Sequence, residues 1–333
     1  MKAIVTAPGG LDALKRVDLP DPGAPGPGEI RVALHASSLN YHDYGVASSR
    51  PPTEGRVLLA DGAGVVEAVG AGVTEFTPGD HVVSTFFPDW IDGPPLIGSF
   101  ARTPGDGIDG FATEYAVRPA TAFTRAPKGY SHVEAATITT AGLTAWRALI
   151  EVGRLKPGET VLTLGTGGVS IWALQLAKFI GARVAVTSSS DDKLEKARAL
   201  GADFTVNYKS NPDWSKAVLD WTKGRGVDHV IEIGGPGTLA HSIEAARVGG
   251  QITLIGVLTG ISGDVPTANM MRKQISLNGI IVGSRRHQIE FIRALETAPF
   301  RPVIDRTFPL DDLAAAFRYE ESAAHFGKIG VEW

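Results

Sequence analysis

The stretch from residue 160 to residue 282 constrains the fold more than any other part of the chain. Six short runs rich in β-branched and apolar residues recur along it, at 160–164, 183–187, 204–206, 227–233, 251–257 and 276–282. Helical segments at 168–180, 191–200, 213–223 and 237–248 separate the first five. Strands that alternate with helices of this length need crossover connections, and right-handed crossovers give a parallel sheet covered on both faces. The predicted fold class is therefore α/β, with a doubly wound parallel sheet of the Rossmann type.

The first strand and helix of this region are joined by Gly165-Thr166-Gly167-Gly168-Val169-Ser170. Gly165 permits a tight turn, Gly167 lets the backbone approach a pyrophosphate, and the N–H groups opening the 168–180 helix can hold its charge. Ser170 stands where a third glycine is usual and keeps the small size that helix–strand packing needs. Alone such a turn is weak evidence, and the six-strand context makes it a dinucleotide site. The tip of the second strand then selects the cofactor, because a carboxylate there bonds a ribose 2′-OH whereas a 2′-phosphate needs neutral or basic groups. It reads Ser188-Ser189-Ser190-Asp191-Asp192-Lys193. Ser188 and Ser189 can donate to a phosphate, Lys193 adds charge, and Tyr208, beside Asn207 after the third strand, can reach the same group. Asp191 and Asp192 are adverse charges nearby, and Ser190 or Asp191 also caps the next helix. The expected cofactor is NADP(H), with NAD(H) as the alternative.

Residues 1 to about 125 follow a different pattern. Short β-rich runs at 3–7, 30–37, 57–69, 81–87 and 112–117 are separated by PDPGAPGPG at 20–28 and by Pro78-Gly79-Asp80, which reads as an irregular β-barrel. At 333 residues the chain has room for two domains. A helix can open at Ser131 or Glu134 and run through 135–149, with Gly142 as the breaker within it. After 285 come a helix at 288–296, a turn at 299–305 and a short strand at 329–332. With 32 Lys and Arg against 36 Asp and Glu and no basic run, nucleic acid and membrane surfaces are poor partners, and a small-molecule substrate is expected. The opening residues MKAIVTAPGG are too short in apolar length for a signal segment or a membrane span, so a cytoplasmic location is expected. There is no cysteine, which excludes disulfides, thiolate nucleophiles and every zinc site built on Cys.

Several motifs occur together and in order: Ser38-Leu-Asn40-Tyr-His-Asp43-Tyr44, Asp61-Gly-Ala-Gly64, Pro78-Gly79-Asp80-His81-Val82, Ala141-Gly142-Leu-Thr144-Ala145-Trp146, Gly165-Thr-Gly-Gly-Val-Ser170, Asn207-Tyr208 and His325-Phe-Gly327-Lys328. In this set the chain resembles the medium-chain dehydrogenase/reductase superfamily, and specifically its zinc-free, quinone-oxidoreductase-like and alcohol-dehydrogenase-like branch. The resemblance implies a GroES-like β-barrel catalytic domain at 1–126 and 285–333, and a Rossmann domain at 127–284. It implies a homodimer paired through the sixth strand of the sheet. Zinc-dependent members hold their metal with Cys, His and Cys; alignment of the motifs puts Asn40, Ala60 and Thr140 at those positions and Asp61 at a neighbouring Glu. No zinc is therefore expected.

The same resemblance assigns the remaining site. His42 aligns with a proton-relaying hydroxyl and is flanked by Tyr41 and Tyr44, which makes these three the candidate catalytic residues; the alternative is a surface histidine beside packing tyrosines. Asn40 and Asp43 look like nicotinamide-side residues, Thr140 accompanies them, and Thr144 lies near the pyrophosphate. Gly234, Gly256, Val257, Leu258, Val282, Gly283, Ser284, His325, Gly327 and Lys328 resemble the rest of the cofactor wall. Three functions follow: a zinc-independent NADPH-dependent reductase of an activated quinone, enone or carbonyl acceptor, a metal-free alcohol dehydrogenase or aldehyde reductase, and a non-catalytic NADPH-binding protein.

Overall fold

Thr160–Leu164 and Val227–Glu232 are buried at every position, as central strands of a sheet covered on both faces must be. The computed structural model, which describes residues 1–48 and 54–333, places these two strands side by side in a six-stranded parallel sheet. The sheet order is Phe204–Asn207, Arg183–Ser188, Thr160–Leu164, Val227–Glu232, Ala246–Leu254, Ser276–Gly279. Counted along the chain this is 3-2-1-4-5-6, the doubly wound order whose direction reverses between the first and fourth strands. The helices Gly168–Ile180, Asp191–Ala199, Trp214–Trp221 and Pro236–Ala245 form the crossovers. Leu162, Leu164, Ala185, Val230 and Ile252 from the strands pack with Trp214, Val218, Leu239 and Ile243 from the helices.

The chain divides into two compact units, Thr144–Ile281, which holds this sheet, and Met1–Leu143 with Val282–Trp333. The second of these contains a seven-stranded sheet ordered Ile304–Pro309, Lys328–Glu332, Glu29–Ser38, Ala63–Val69, His81–Ser84, Phe123–Arg125, with Tyr115–Pro119 also on Glu29–Ser38. Lys2–Val5 and Lys15–Asp18 make a separate antiparallel pair. Gly64 sits where strands cross so closely that a Cβ would lie 1.9 Å from the Ala33 carbonyl oxygen, so only glycine fits there.

The elements depart from the sequence expectation in four places, each with a local cause. The predicted strand at 57–69 begins only at Ala63, because Leu59 adopts a left-handed φ of +73° that breaks the extended run. The predicted helix opens at Ser131 as expected, with Glu134 completing a capping box, but it runs as α-helix only over His132–Ala136 and continues through two π-helical turns, Ile138–Gly142 and Arg147–Val152. The helix predicted to 248 stops at Ala245, where Lys273 Nζ donates to the carbonyls of Ile243 and Ala246 at 3.1 and 2.8 Å and closes the helix end. The strand that follows starts at Ala246 and slips in register at Gly249-Gly250 before pairing Gln251 with His229. Finally, a strand Ile304–Pro309 follows the turn expected at 299–305, and Leu313–Glu321 forms a helix in a stretch for which no element was expected. Among the described residues no helix is long and apolar enough to cross a membrane.

Asp228 ties the lower edge of the parallel sheet together. It is buried and accepts from Thr160 N and Oγ1 at 2.9 and 2.8 Å, from Arg225 at 2.9 and 2.7 Å, and from Arg247 Nε at 2.5 Å. Burial pushes its carboxyl up, but the two guanidinium groups and Thr160 overcome this and hold it well below the usual carboxylate range. Asp228→Asn is expected to lower the unfolding free energy by about 3 kcal/mol, since it leaves two guanidinium groups facing a neutral side chain. A carboxyl depressed in the fold contributes in full above pH ~4 and loses its contribution as pH falls below that. Denaturant melts should therefore separate the two proteins at pH 7, with a gap that narrows as pH falls below ~4 but is still open at pH ~3, because the folded carboxyl titrates well below that.

Candidate active site

Where the strand Glu29–Ser38 ends, the chain turns through Leu39 and Asn40 into the helix Tyr41–Ser48. Asp43, in the helix's first turn, reaches back so that its Oδ2 accepts from Asn40 N and Nδ2, both at 3.1 Å, one arm of a capping box. Its other oxygen accepts from Ala60 N at 2.9 Å, which fixes the loop around the strained Leu59. Next in that loop, Asp61 Oδ2 accepts from Ser38 Oγ at 2.6 Å and Asn40 Nδ2 at 2.9 Å, and its Oδ1 from Thr140 Oγ1 at 2.6 Å. Lys328, at the start of the last strand, donates from Nζ to Asn40 Oδ1 at 2.6 Å and to the Leu39 carbonyl, and stands 3.8 Å from Asp61. Asn40, Asp43, Asp61, Thr140 and Lys328 are all buried.

Burial dominates the electrostatics of this cluster. It pushes Asp43 up to about 7, with the Asp61 charge adding to the rise and the Ala60 N–H and Asn40 opposing it. It also raises Asp61 against the pull of Lys328, Ser38, Thr140 and Asn40, and lowers the Lys328 ammonium against the neighbouring carboxylates. Two hydrogen-bonded carboxyls, both raised by burial, thus sit on either side of Asn40. The three positions aligned with zinc ligands take part in this network or have nothing to offer it. Asn40 Oδ1 already accepts from an ammonium, Thr140 donates to Asp61, and Ala60 contributes only backbone.

The three candidate catalytic residues divide between two faces of the helix. Tyr41 and Tyr44, one turn apart, lie with ring centres 5.6 Å apart. Tyr41 is 58% exposed, and Tyr44 donates its hydroxyl to Glu321 Oε1 at 2.6 Å, which raises its pKa. His42 points elsewhere, against Phe100 and Phe86 with ring centres 4.5 and 5.5 Å away, and its Nε2 lies 3.3 Å from Asp106 Oδ2. The structure therefore pairs His42 with an acid and an apolar wall, while the Tyr44 hydroxyl is committed to a glutamate.

In the parallel-sheet unit, Gly165 has φ +71° and its N–H donates to Thr187 Oγ1 at 3.2 Å. Gly167 opens the helix Gly168–Ile180 without any side-chain cap, so the first-turn N–H groups, including those of Gly168 and Val169, are left for an anion. Ser170 is buried and donates to the Leu164 carbonyl at 2.6 Å, which holds helix to strand. Thr166 and Thr144 are buried as well. At the strand tip Ser188 pairs in register with Asn207, and Tyr208 N donates to the Ser188 carbonyl at 3.0 Å, which brings Ser188, Asn207 and Tyr208 together. Ser188 is buried and its Oγ accepts from Ser190 N at 3.3 Å, whereas Ser189 is half-buried and Tyr208 is exposed. Ser190 caps the helix, and Asp191 accepts from Asn207 Nδ2 at 2.9 Å.

The wall residues need a support that the sequence did not point to. Glu232, fully buried at the end of its strand, accepts from Gly234 N at 2.7 Å, Gly235 N at 3.1 Å, Thr238 Oγ1 at 2.6 Å and Ser242 Oγ. It thereby shapes the turn that carries Gly234. A Cβ on Gly256 would lie 2.3 Å from the Ile233 carbonyl oxygen, and the next two residues, Val257 and Leu258, are both exposed. In the other unit Val282 takes a left-handed φ of +44°, Gly283 packs on Leu143, and Ser284 caps the helix Arg285–Leu295 through His287. Gly327 has φ +83° with no room for a Cβ beneath Val303, and His325 lies near Tyr319.

Lys328→Met removes the ammonium and leaves the carboxyls. Its expected cost is about 3 kcal/mol or more at pH 8 in denaturant melts, because a buried carboxylate loses its counter-ion. The deficit should shrink at pH 5, where the carboxyl of Asp43, pushed up to about 7, has taken up a proton.

Known proteins place this geometry in a lineage. Residues 26–128 match the alcohol dehydrogenase GroES-like domain, and residues 168–297 match the zinc-binding dehydrogenase family. A zinc-type alcohol dehydrogenase-like protein of Schizosaccharomyces pombe is 41% identical over 330 residues, covering 96% of this chain and 95% of that protein. The solved structure of an NAD-dependent alcohol dehydrogenase superposes with a TM-score of 0.90 at 37% identity, covering all of both chains. A quinone oxidoreductase of Pseudomonas syringae superposes with a TM-score of 0.83 at 28% identity, covering all of this chain and 99% of the other. The chain therefore belongs to the medium-chain dehydrogenase/reductase superfamily of NAD(P)-dependent oxidoreductases, among its alcohol-dehydrogenase-like and quinone-oxidoreductase-like members.

Proposed function

We propose that this oxidoreductase is a zinc-independent, NADPH-dependent reductase of an activated acceptor, a quinone, an enone or a carbonyl compound. The observation that carries the reading is the Lys328 ammonium seated 2.6 Å from Asn40 Oδ1. A metal cation at that position would meet a buried positive charge, and the donors around it, an amide, a hydroxyl and an alanine backbone, do not suit zinc. Hydrogen bonds must then stabilise any oxyanion that develops, which favours an acceptor already activated by conjugation over a simple alcohol.

The bound nicotinamide would supply the hydride. The uncapped first turn of Gly168–Ile180 holds the pyrophosphate, and Ser189, Lys193 and Tyr208 bind the 2′-phosphate, with Ser188 and Asn207 shaping the strand tip. Asn40, Asp43 and Lys328 orient the nicotinamide end. His42, with Asp106 beside Nε2, is the best-placed proton carrier of the three candidates, since the Tyr44 hydroxyl is held by Glu321. The edge strand Ser276–Gly279 pairs with its copy in a homodimer, for which a sedimenting mass of two chains is the check.

A second reading, NAD(H)-dependent alcohol oxidation, draws on Asp191, whose carboxylate is held at the same strand tip by Asn207. Protein dialysed against chelator should oxidise NADPH with at least one quinone, enone or aldehyde, and should show no gain on adding zinc. Absence of any turnover, or turnover that needs the metal, would overturn the proposal. Ser189→Asp, chosen because Ser189 is less buried than Ser188, should weaken NADPH binding at least tenfold more than NADH binding. Equal weakening of both would mean that the 2′-phosphate lies elsewhere.

A further inference from the structure

The helix Leu313–Glu321 ends against the Asn40 cluster. Its buried residues Leu313, Ala316 and Phe317 follow the i, i+3, i+4 spacing of a core-facing stripe, and the next position on that stripe is Glu320. The helix packs on Tyr41–Ser48 and on the strand Lys328–Glu332. Glu320 Oε2 is buried and has no hydrogen-bond partner among the described residues. The charged groups that Glu320 feels come from three other elements: Lys328 on the strand, Asp43 on the helix Tyr41–Ser48, and Asp61 on the loop before Ala63–Val69.

Three carboxyls therefore share one ammonium. Lys328 Nζ gives hydrogen bonds to Asn40 Oδ1 and the Leu39 carbonyl and is closest in charge to Asp61, which also collects donors from Ser38, Asn40 and Thr140. Asp43 takes the Ala60 N–H and both Asn40 donors. Glu320 is the member of the cluster with an oxygen that no donor reaches, and a buried carboxylate oxygen cannot be left so without a large penalty, whereas a neutral acid can.

We propose that Glu320 is a positioning residue for the Asn40 end of the site: it serves as a neutral carboxylic acid, and loss of its proton draws Lys328 away from Asn40 Oδ1. Burial pushes Glu320 up to about 8 against the pull of Lys328, with Asp43 and Asp61 adding to the rise. Lys328 is the donor that orients Asn40, so ionised Glu320 loosens the amide that faces the nicotinamide. That consequence rests on the cofactor placement proposed above.

The sign of the stability effect is fixed by linkage. A carboxyl raised in the fold gains a proton on folding between its unfolded value near ~4.3 and its folded value, so stability falls as pH rises through that window and then levels. The test compares the full chain with Glu320→Gln from pH 5 to 9.5, by thermal midpoint and by NADPH affinity from cofactor fluorescence. The variant's midpoint should gain roughly 5 °C or more on the wild type between pH 5 and 8 and keep a constant lead above it. Wild-type NADPH affinity should weaken at least about fivefold from pH 7 to 9.5 beyond any change in the variant. Glu320→Leu, which cannot ionise either, should reproduce both trends if Gln perturbs the fold. Midpoints that stay parallel at every pH overturn the neutral acid. Diverging midpoints with identical affinity profiles overturn the positioning role. If neither protein binds NADPH at any pH, the cofactor reading falls and takes the positioning role with it, while the midpoints still decide the protonation state.

Discussion

The site depends on one buried ammonium. Lys328 is anchored by the last strand, reaches Asn40 and Leu39 at the end of a strand 288 residues earlier in sequence, and supplies the positive charge facing Asp43, Asp61 and Glu320. Without it the carboxyls would repel one another in a medium that screens poorly. With it, each carboxyl can be assigned to a different backbone task. Asp43 caps a helix and ties down Ala60, and Asp61 joins Ser38, Asn40 and Thr140. The closing of the chain's C-terminal strand onto its N-terminal sheet is thus also the step that assembles the polar site.

The centre of the parallel sheet was readable from the sequence, because Thr160–Leu164 and Val227–Glu232 are buried at every position, whereas the runs expected at 251–257 and 276–282 became Ala246–Leu254 and Ser276–Gly279. The 160–164 strand and the 168–180 helix coincide with Thr160–Leu164 and Gly168–Ile180. The turn at Gly165 and the opening of the helix after it were legible too, since their signals are local: a glycine that must turn and a helix start without a cap. Agreement was poorer where backbone geometry overrode pattern. Nothing in the apolar run at 57–69 announces that Leu59 goes left-handed, and no helix propensity distinguishes α from π turns in 138–152. Those two departures place Ala60, Asp61 and Thr140.

Glu320 and Glu232 were missed for different reasons. Glu232 ends a strand whose neighbours are apolar, and its four donors arrive from the turn and helix that follow, so only the folded turn reveals them. Glu320 had a signal: it continues the buried stripe Leu313, Ala316, Phe317, where an acid is out of place. The helix itself went unrecognised because it lies between the turn at 299–305 and the strand at 329–332, a stretch that was given no element. Without the helix there was no stripe for the glutamate to violate. His42 and Tyr44 show the converse limit. Two residues apart in sequence, they looked like one constellation, but on a helix two positions subtend about 200°. They reach different partners, Asp106 and Glu321.

Density of hydrogen bonding is what distinguishes this cluster from a vestige of a lost metal site. A site that had merely lost its ligands would be expected to relax toward apolar packing, because satisfying buried polar groups is harder than removing them. Here Asn40 uses its amide nitrogen, its amide oxygen and its backbone N–H, all directed at charged or polar partners within 3.3 Å. Thr140 keeps a hydroxyl aimed at Asp61, a donor that a valine of the same shape would not supply. Polar side chains held this completely are a preorganised electrostatic environment, with donors and protons fixed before any ligand arrives. Lys328 supplies the positive charge around which these side chains are ordered. Burial raises the carboxyls and lowers the ammonium, so the charge of the cluster answers to the solution as well as to the fold.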